Sequence, residues 1–155
     1  MDFQRDWNRC STNSRRIQYL QLFSSPLTAT KSIFSVEMDA IILCDIIKAL
    51  STLTNENGDG CGADDIHCSG TEDYFVLKWI FAIPECGGFS FNIAFFGESE
   101  KKALKKMFSW LDKKIPSHND VIRDYLIADS KESAGYFEED LNLLTTLRSR
   151  YQMQL

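Results

Sequence analysis

The apolar positions of residues 40–54 recur every three to four residues, the spacing that places side chains on one face of an α-helix. Asp39 precedes this segment, and an aspartate at that position can accept hydrogen bonds from the free N–H groups of a first helical turn. The segment therefore predicts a well-buried helix. Its broad apolar face comprises Ile42, Leu43, Ile46, Ile47, Ala49, Leu50 and Leu53.

Residues 72–83 form a second predicted helix, which is apolar on nearly every side. Two carboxylates occupy its first turn, where they suit the positive end of the helix dipole, and Pro84 marks its end. Beyond the first turn only Lys78 is charged. Because a helix without a polar face belongs in the protein interior, we expect this helix, including Trp79, at the centre of the core.

Residues 98–114 separate apolar from charged positions most clearly and predict a surface helix. Its apolar arc comprises Ala103, Leu104, Met107, Phe108 and Leu111, and the opposite face carries lysines at 101, 102, 105, 106 and 113. A solvated face is the favoured interpretation of these lysines, with contact to an acidic partner as the alternative. Weaker patterns predict helices at about 3–10, 14–23, 27–34 and 137–150.

No segment shows the sustained alternation of a half-buried strand. The sequence therefore predicts an all-α fold of stacked helical hairpins, organised as one domain over residues 1–155. One polar insertion, residues 55–70, interrupts the helices, and we expect it to be mobile.

The insertion contains oxygen-bearing residues at calcium-loop spacing, but its twelfth position, where a glutamate should close the site, is Ile66. Cys61, His67, Cys68 and Cys86 carry atoms that bind zinc, at a spacing that matches no common zinc site. We therefore expect a flexible loop without metal. A calcium- or zinc-responsive regulatory protein using this loop is the alternative function.

The composition narrows the classes of partner. A net charge of −5 disfavours nucleic acid and anionic membranes, which bind clustered Lys and Arg. The first seven residues are charged and lack the apolar stretch of a signal peptide, and five cysteines cannot all pair within one chain. We expect a soluble, cytoplasmic protein that binds neither nucleic acid nor membranes.

Catalytic motifs are missing from the sequence: it has no phosphate loop, no G-x-S-x-G and no H-E-x-x-H. Both histidines, His67 and His118, lie in polar surroundings typical of exposed loops. The sequence therefore predicts a protein that is not an enzyme and that uses no catalytic residue and no cofactor.

Residues 88–96 are the most informative segment for function. On a helix, Phe89, Ile93 and Phe96 form one stripe, while Phe91 and Phe95 form a nearly opposite one. One stripe serves the core. The other is covered either by a second part of the domain or by a protein partner, and the pattern alone leaves both alternatives open.

Three stretches resemble the C-terminal domain family of RNA polymerase II-associated protein 3. They are residues 32–34 running into 38–43, residues 89–96, and residues 98–102 leading to Met107 and Phe108. The similarity is clearest from about Ser32 to Asp112. The same domain occurs in sperm-associated antigen 1 and coiled-coil domain-containing protein 103, both dynein-arm assembly factors.

The resemblance implies an all-helical adaptor that docks on a RuvB-like AAA+ ATPase within a cochaperone complex and assists assembly of a client such as axonemal dynein arms. The docking helix of the family presents a basic residue, an apolar residue and a Phe, and the matching positions here are Gly88, Phe91 and Phe95. Gly88 departs from this pattern, because it stands where the family has a basic residue. Lys101 and Lys102, which could contact an acidic partner, complete the candidate partner-binding residues.

Overall fold

The structure, a computed structural model, describes residues 2–54, 69–129 and 143–151. Throughout these ranges the regular structure is helical, which confirms the all-α prediction. A short 3-10 turn, Ile83–Glu85, follows the fifth α-helix. The helices are α1 (Phe3–Arg9), α2 (Asn13–Gln21), α3 (Pro26–Ile33), α4 (Ala40–Leu53), α5 (Ser69–Ala82), α6 (Phe89–Ile93), α7 (Glu98–Asp129) and α8 (Leu143–Arg150).

Side-chain caps fix where the first four helices begin. The residue before each helix, Asp2, Thr12, Ser25 or Asp39, accepts a hydrogen bond from a backbone N–H of the first turn. At α4 the Oδ1 of Asp39 lies 2.7 Å from the N of Ile41. Such caps stabilise a helix by about 1 kcal/mol each, and the predicted start of α4 is confirmed.

Two predicted boundaries are wrong. Helix α5 begins at Ser69 instead of after Thr71, so the last two residues of the expected 55–70 insertion are helical. Helix α7 continues from Glu98 to Asp129, whereas the expected end was at residue 114. A proline inside a helix removes one hydrogen bond and costs about 3 kcal/mol, yet α7 continues through Pro116. The apolar residues beyond it, at 121, 122, 125 and 126, keep helical spacing.

One apolar core extends from Phe3 in α1 to Tyr151 after α8. Helix α4 packs against α2, α5, α6 and α7, and α5 packs against α3, α4 and α7. Trp79 is fully buried, and the neighbouring side chains Val76, Leu77 and Ile80 are at most 1% exposed. The predicted central position of this helix is confirmed. None of the helices in the described ranges is apolar over the length needed to span a bilayer.

Helix α8 closes the core on the side of α5 and α7. The hydroxyl of Tyr151 donates a hydrogen bond to the carbonyl of Ile80 at 2.9 Å. Two ion pairs flank this contact: Arg148 with Asp112 and Arg150 with Glu85, each at 2.5 Å. The described part of the predicted 137–150 helix is thus helical from Leu143 and anchored by Tyr151.

Candidate protein-interaction site

The start of α6 is fixed to the connection between α3 and α4 through Gly87. Its N–H donates to the carbonyl of Phe34 at 2.7 Å, and its carbonyl accepts from the N–H of Met38 at 3.0 Å. A Cβ atom at Gly87 would lie 2.2 Å from the carbonyl oxygen of Val36. Because real Cβ atoms never approach so closely, only glycine allows the two segments to meet here.

Gly88 caps α6 with a left-handed backbone, at φ 75°. Its carbonyl accepts from the N–H groups of Phe91 at 3.1 Å and Asn92 at 2.9 Å. This conformation favours glycine, since other L-residues adopt it at a cost of about 1–2 kcal/mol. The glycine at the family's basic position therefore has a local structural reason: it allows the turn into α6.

Asn92 is a buried polar residue on α6 that the sequence analysis did not identify. Its side chain is 4% exposed, and Nδ2 donates a hydrogen bond to the carbonyl of Met38. The sequence contains a signal for this residue, because Asn92 stands between Phe91 and Ile93 in an apolar segment. A polar side chain that is buried in such a segment requires a specific hydrogen-bond partner. The contact holds α6 in a fixed orientation against the start of α4.

The two stripes of α6 have opposite environments. Phe89, Ile93 and Phe96 are 4–6% exposed, whereas Phe91 and Phe95 are 65% and 66% exposed. Of the two alternatives, burial on both sides is therefore wrong for Phe91 and Phe95. Their rings contact each other in a T-shaped arrangement with centroids 4.8 Å apart. We call these two residues the aromatic pair.

Two further large apolar side chains are exposed near the junction of the α3–α4 connection with α4. Val36 is 90% exposed and Ile41 is 72% exposed. Val36 lies in the connection that is hydrogen-bonded to Gly87, and Ile41 lies in the first turn of α4. The hydrogen bonds of Gly87 and Asn92 join the α3–α4 connection to α6.

All five candidate partner-binding residues, namely Gly88, Phe91, Phe95, Lys101 and Lys102, are exposed. Lys101 forms an ion pair with Glu98 in the first turn of α7, with Nζ and Oε1 3.7 Å apart. The lysine face of α7 is solvated as predicted, with Lys105 and Lys106 also exposed. Their binding role stays a prediction.

Two of the described thiols, Cys44 and Cys86, are poor nucleophiles. Burial, with a smaller contribution from the Glu85 carboxylate, raises the pKa of Cys86 to about 12. Burial also raises the pKa of Cys44. Both groups are therefore protonated at neutral pH, and a thiol reacts as its thiolate.

The residues that the metal-responsive alternative would use lie mainly in the polar insertion. Among the described side chains, no three His, Cys, Asp or Glu residues come together as a metal site. Cys61, His67, Cys68 and the calcium-like loop lie outside the described residues, as does the side chain of His118. The metal-responsive alternative and the expected mobility of residues 55–68 therefore stay predictions.

Comparison with known proteins places α6 within a recognised region. The profile of the family described as the potential Monad-binding region of RPAP3 matches residues 1–101, a range that runs from α1 through α6 to the start of α7. The chain is 28% identical over 122 residues to the dynein axonemal assembly factor 19 homolog of Chlamydomonas reinhardtii.

That alignment covers 74% of this chain and 43% of the relative, so the chain spans less than half the length of the curated relative. No solved structure matches the chain. The family match, which covers 101 of 155 residues, confirms the resemblance found in the sequence. The chain belongs to the family of the potential Monad-binding region of RPAP3.

Proposed function

We propose that this protein is a cytoplasmic adaptor that docks on a RuvB-like AAA+ ATPase through the aromatic pair, Phe91 and Phe95. In this proposal it connects the ATPase to a client during assembly of large complexes, with axonemal dynein arms as the first candidate. The observation that carries the proposal is the exposure of both rings, 65% and 66%, on a helix whose other face is buried.

The physical argument starts from the free energy of exposed rings. Full burial of a phenylalanine side chain is favourable by about 1.5–3 kcal/mol, so two adjacent exposed rings on a partner-free domain are an unsatisfied apolar surface. Aromatic side chains at the centre of an interface commonly contribute most of its binding energy. The aromatic pair is therefore the best anchor among the described residues for a concave apolar site on a partner.

The support behind the aromatic pair is rigid. Phe89, on the opposite face of α6, packs against Tyr151 with ring centroids 5.1 Å apart. The Gly87 hydrogen bonds and the Asn92 side chain fix both ends of the helix to the α3–α4 connection. A rigid helix loses little conformational entropy on docking, which favours affinity.

The comparisons support the same class of function. The matching relative is named a dynein axonemal assembly factor, and the family is described as a binding region. Gly88 offers no side-chain charge where the docking helix of the family carries a basic residue. We therefore expect the aromatic pair to provide most of the ATPase affinity in this protein, with Lys101 and Lys102 as secondary contacts to acidic residues.

Isothermal titration calorimetry with a purified RuvB-like ATPase tests the proposal. Phe91→Ala and Phe95→Ala should each weaken binding by about 2 kcal/mol, or roughly thirtyfold, as loss of an aromatic anchor does. Leu22→Ala is the matched control, because Leu22 is also an exposed apolar side chain, at 69%, but lies at the end of α2.

Two results would contradict different parts of the proposal. Absence of binding by the wild-type protein would reject the ATPase as the partner. Binding by the wild type that neither phenylalanine variant weakens would reject the aromatic pair as the site.

A further inference from the structure

Helix α7 carries lysines on the face that points away from the core. Lys102, Lys105 and Lys106 are exposed, and at a rise of about 1.5 Å per residue they lie within about 6 Å along the helix axis. The opposite face packs into the core, with these side chains at most 2% exposed: Leu104, Met107, Phe108 and Leu111. We call Lys102, Lys105 and Lys106 the lysine cluster.

The carboxylates of α7 do not neutralise the lysine cluster. Those with described side chains pair with other basic residues: Glu98 with Lys101 at 3.7 Å, Glu100 with Lys48 of α4 at 2.6 Å and Asp112 with Arg148 of α8 at 2.5 Å. The hydrogen bond from Lys48 also holds the pKa of Glu100 below its usual range. Within the described part of the chain, no side chain of the lysine cluster forms an ion pair or a hydrogen bond.

The stability of α7 does not account for the lysine cluster. Lys102 stands three residues before Lys105 and four before Lys106, and these are the spacings at which side chains of a helix are neighbours. Like charges at these spacings destabilise a helix, whereas a glutamate four residues before a lysine stabilises it. A favourable arrangement of the cluster therefore requires negative charge that the described residues do not supply.

The charge of the whole chain limits the kind of anion that fits. The net charge is −5, and the carboxylates of Glu98 and Asp112 are exposed on the same helix. Exposed charges act over about 8 Å at physiological ionic strength, so an extended polyanion such as nucleic acid or a membrane surface meets these carboxylates as well as the lysines. A short acidic segment contacts the lysines and avoids that repulsion.

We propose that the lysine cluster binds an acidic segment of a partner protein in an extended conformation. Alternate residues of an extended chain lie on one side, about 6.5–7 Å apart, which is close to the one-turn separation of Lys102 and Lys106. Each lysine offers three N–H donors on a flexible stem. The proposal deepens the proposed function, in which Lys102 is a secondary contact, and rests on it in taking the RuvB-like ATPase as the source of the segment.

An NMR titration with the peptide acetyl-Ala-Glu-Ala-Glu-Ala-Glu-Ala-amide at low salt tests the lysine cluster without any ATPase. The peptide should produce saturable amide shifts in residues 102–106, and its glutamine counterpart should bind at least about threefold more weakly. The double variant Lys105→Gln, Lys106→Gln should weaken the glutamate peptide by about threefold or more. The matched control combines Arg15→Gln with Lys31→Gln, which removes the same charge from exposed positions on α2 and α3 and should bind as the wild type does.

Several results of the titration would overturn the proposal. They are the absence of saturable shifts in residues 102–106, equal binding of the glutamate and glutamine peptides, and an unchanged affinity of the double lysine variant. Phosphatidylserine vesicles and a short DNA duplex are the competing anions. Tighter binding of either one than of the glutamate peptide, lost in the double lysine variant, would assign the lysine cluster to a membrane or to nucleic acid instead.

Purified RuvB-like ATPase tests the source of the segment. The ATPase should displace the glutamate peptide, and the double lysine variant should bind the ATPase about threefold more weakly than the wild type. Binding of the ATPase without displacement would overturn the ATPase as the source, while the aromatic pair would stand as the docking site. Absence of ATPase binding by the wild type would instead reject the proposed function, and the peptide titration would still decide whether the lysine cluster takes an acidic segment.

Discussion

Tyr151 lies directly behind Phe89, with the two rings edge to face and their centroids 5.1 Å apart. Tyr151 also contacts Phe108 of α7 at 5.4 Å and bonds to the carbonyl of Ile80 in α5. The residue that follows α8 therefore joins α5, α6 and α7 under the buried face of α6. The aromatic pair depends on this contact for its position, although Tyr151 is far from it in the sequence.

The hydroxyl of Tyr151 gives the first prediction. Tyr151→Phe keeps the ring contacts but leaves the Ile80 carbonyl without this donor, which should lower the free energy of unfolding by about 1–3 kcal/mol. Urea denaturation followed by circular dichroism measures the change. Tyr19→Phe is the matched control, because the Tyr19 hydroxyl is buried and makes no hydrogen bond to the described residues. Equal losses in the two variants would contradict a specific role for the Tyr151–Ile80 bond.

Cys86 gives a prediction about alkaline pH. Burial raises the pKa of its thiol from 9.0 to about 12 in the folded state. The contribution of this group to stability is therefore fully present below pH 9 and is lost as the pH rises from 9 toward 12, by about 1.4 kcal/mol per pH unit at most. Unfolding free energies measured between pH 8 and 10 should decline with pH. Cys86→Ala should flatten that decline, leaving only the part due to other groups, such as Cys44.

The native thiol of Cys86 should also be protected from alkylation. A thiol that is 6% exposed and protonated at pH 8 offers neither access nor thiolate. Iodoacetamide labelling followed by peptide mass spectrometry should show slow modification of Cys86 in native protein and rapid modification in urea. Fast native labelling of Cys86 would contradict the buried position behind α6.

The sequence predicted those features that depend on local patterns. The apolar face of α4 and its Asp39 cap, and the opposite stripes of α6, arise from residues only a few positions apart. Trp79 was placed in the core for the same reason: its helix has no polar face.

The features that were missed depend on contacts between distant segments. Nothing near Gly87 in the sequence shows that its N–H and carbonyl bond to Phe34 and Met38. The partner of Asn92 is also found only when α6 packs beside the start of α4. The predicted helix at 98–114 was shorter than α7, although the apolar residues beyond Pro116 keep helical spacing.

The two adjacent glycines before α6 should respond differently to substitution. Gly87→Ala places a methyl group 2.2 Å from the Val36 carbonyl oxygen, so the backbone must move, with a loss of about 3 kcal/mol or more of stability. Gly88→Ala places a methyl group 3.2 Å from the flexible side chain of Glu37 and 3.7 Å from the Nδ2 of Asn92, so its loss is limited to about 1–2 kcal/mol of backbone strain. Thermal melts of both variants give the comparison. A larger loss for Gly88→Ala would contradict the contact between Gly87 and the α3–α4 connection.

Gly88→Arg introduces the basic residue that the docking helix of the family carries, at a position where the left-handed backbone is strained for any residue other than glycine. The variant should lose about 1–2 kcal/mol of stability, as Gly88→Ala does, because both residues require the left-handed backbone. If the family's docking geometry holds, its ATPase affinity should nevertheless rise through a charge-assisted contact. Gly88→Ala is the control, since it carries the strain without the charge. Equal ATPase affinities of the two variants would mean that the partner has no acidic group opposite this position.

The stability of three phenylalanine variants distinguishes the buried face of α6 from its exposed face, and the measurement requires no partner protein. Phe89 is 4% exposed and packs against Tyr151 in the core, so Phe89→Ala should lower the free energy of unfolding by about 3–5 kcal/mol. Phe91→Ala and Phe95→Ala remove exposed rings that mainly contact each other, and each should change stability by less than about 1 kcal/mol. Urea denaturation of the three proteins under one condition gives the comparison. Losses near that of Phe89→Ala in either exposed variant would place the aromatic pair in the core and remove the basis for its docking role.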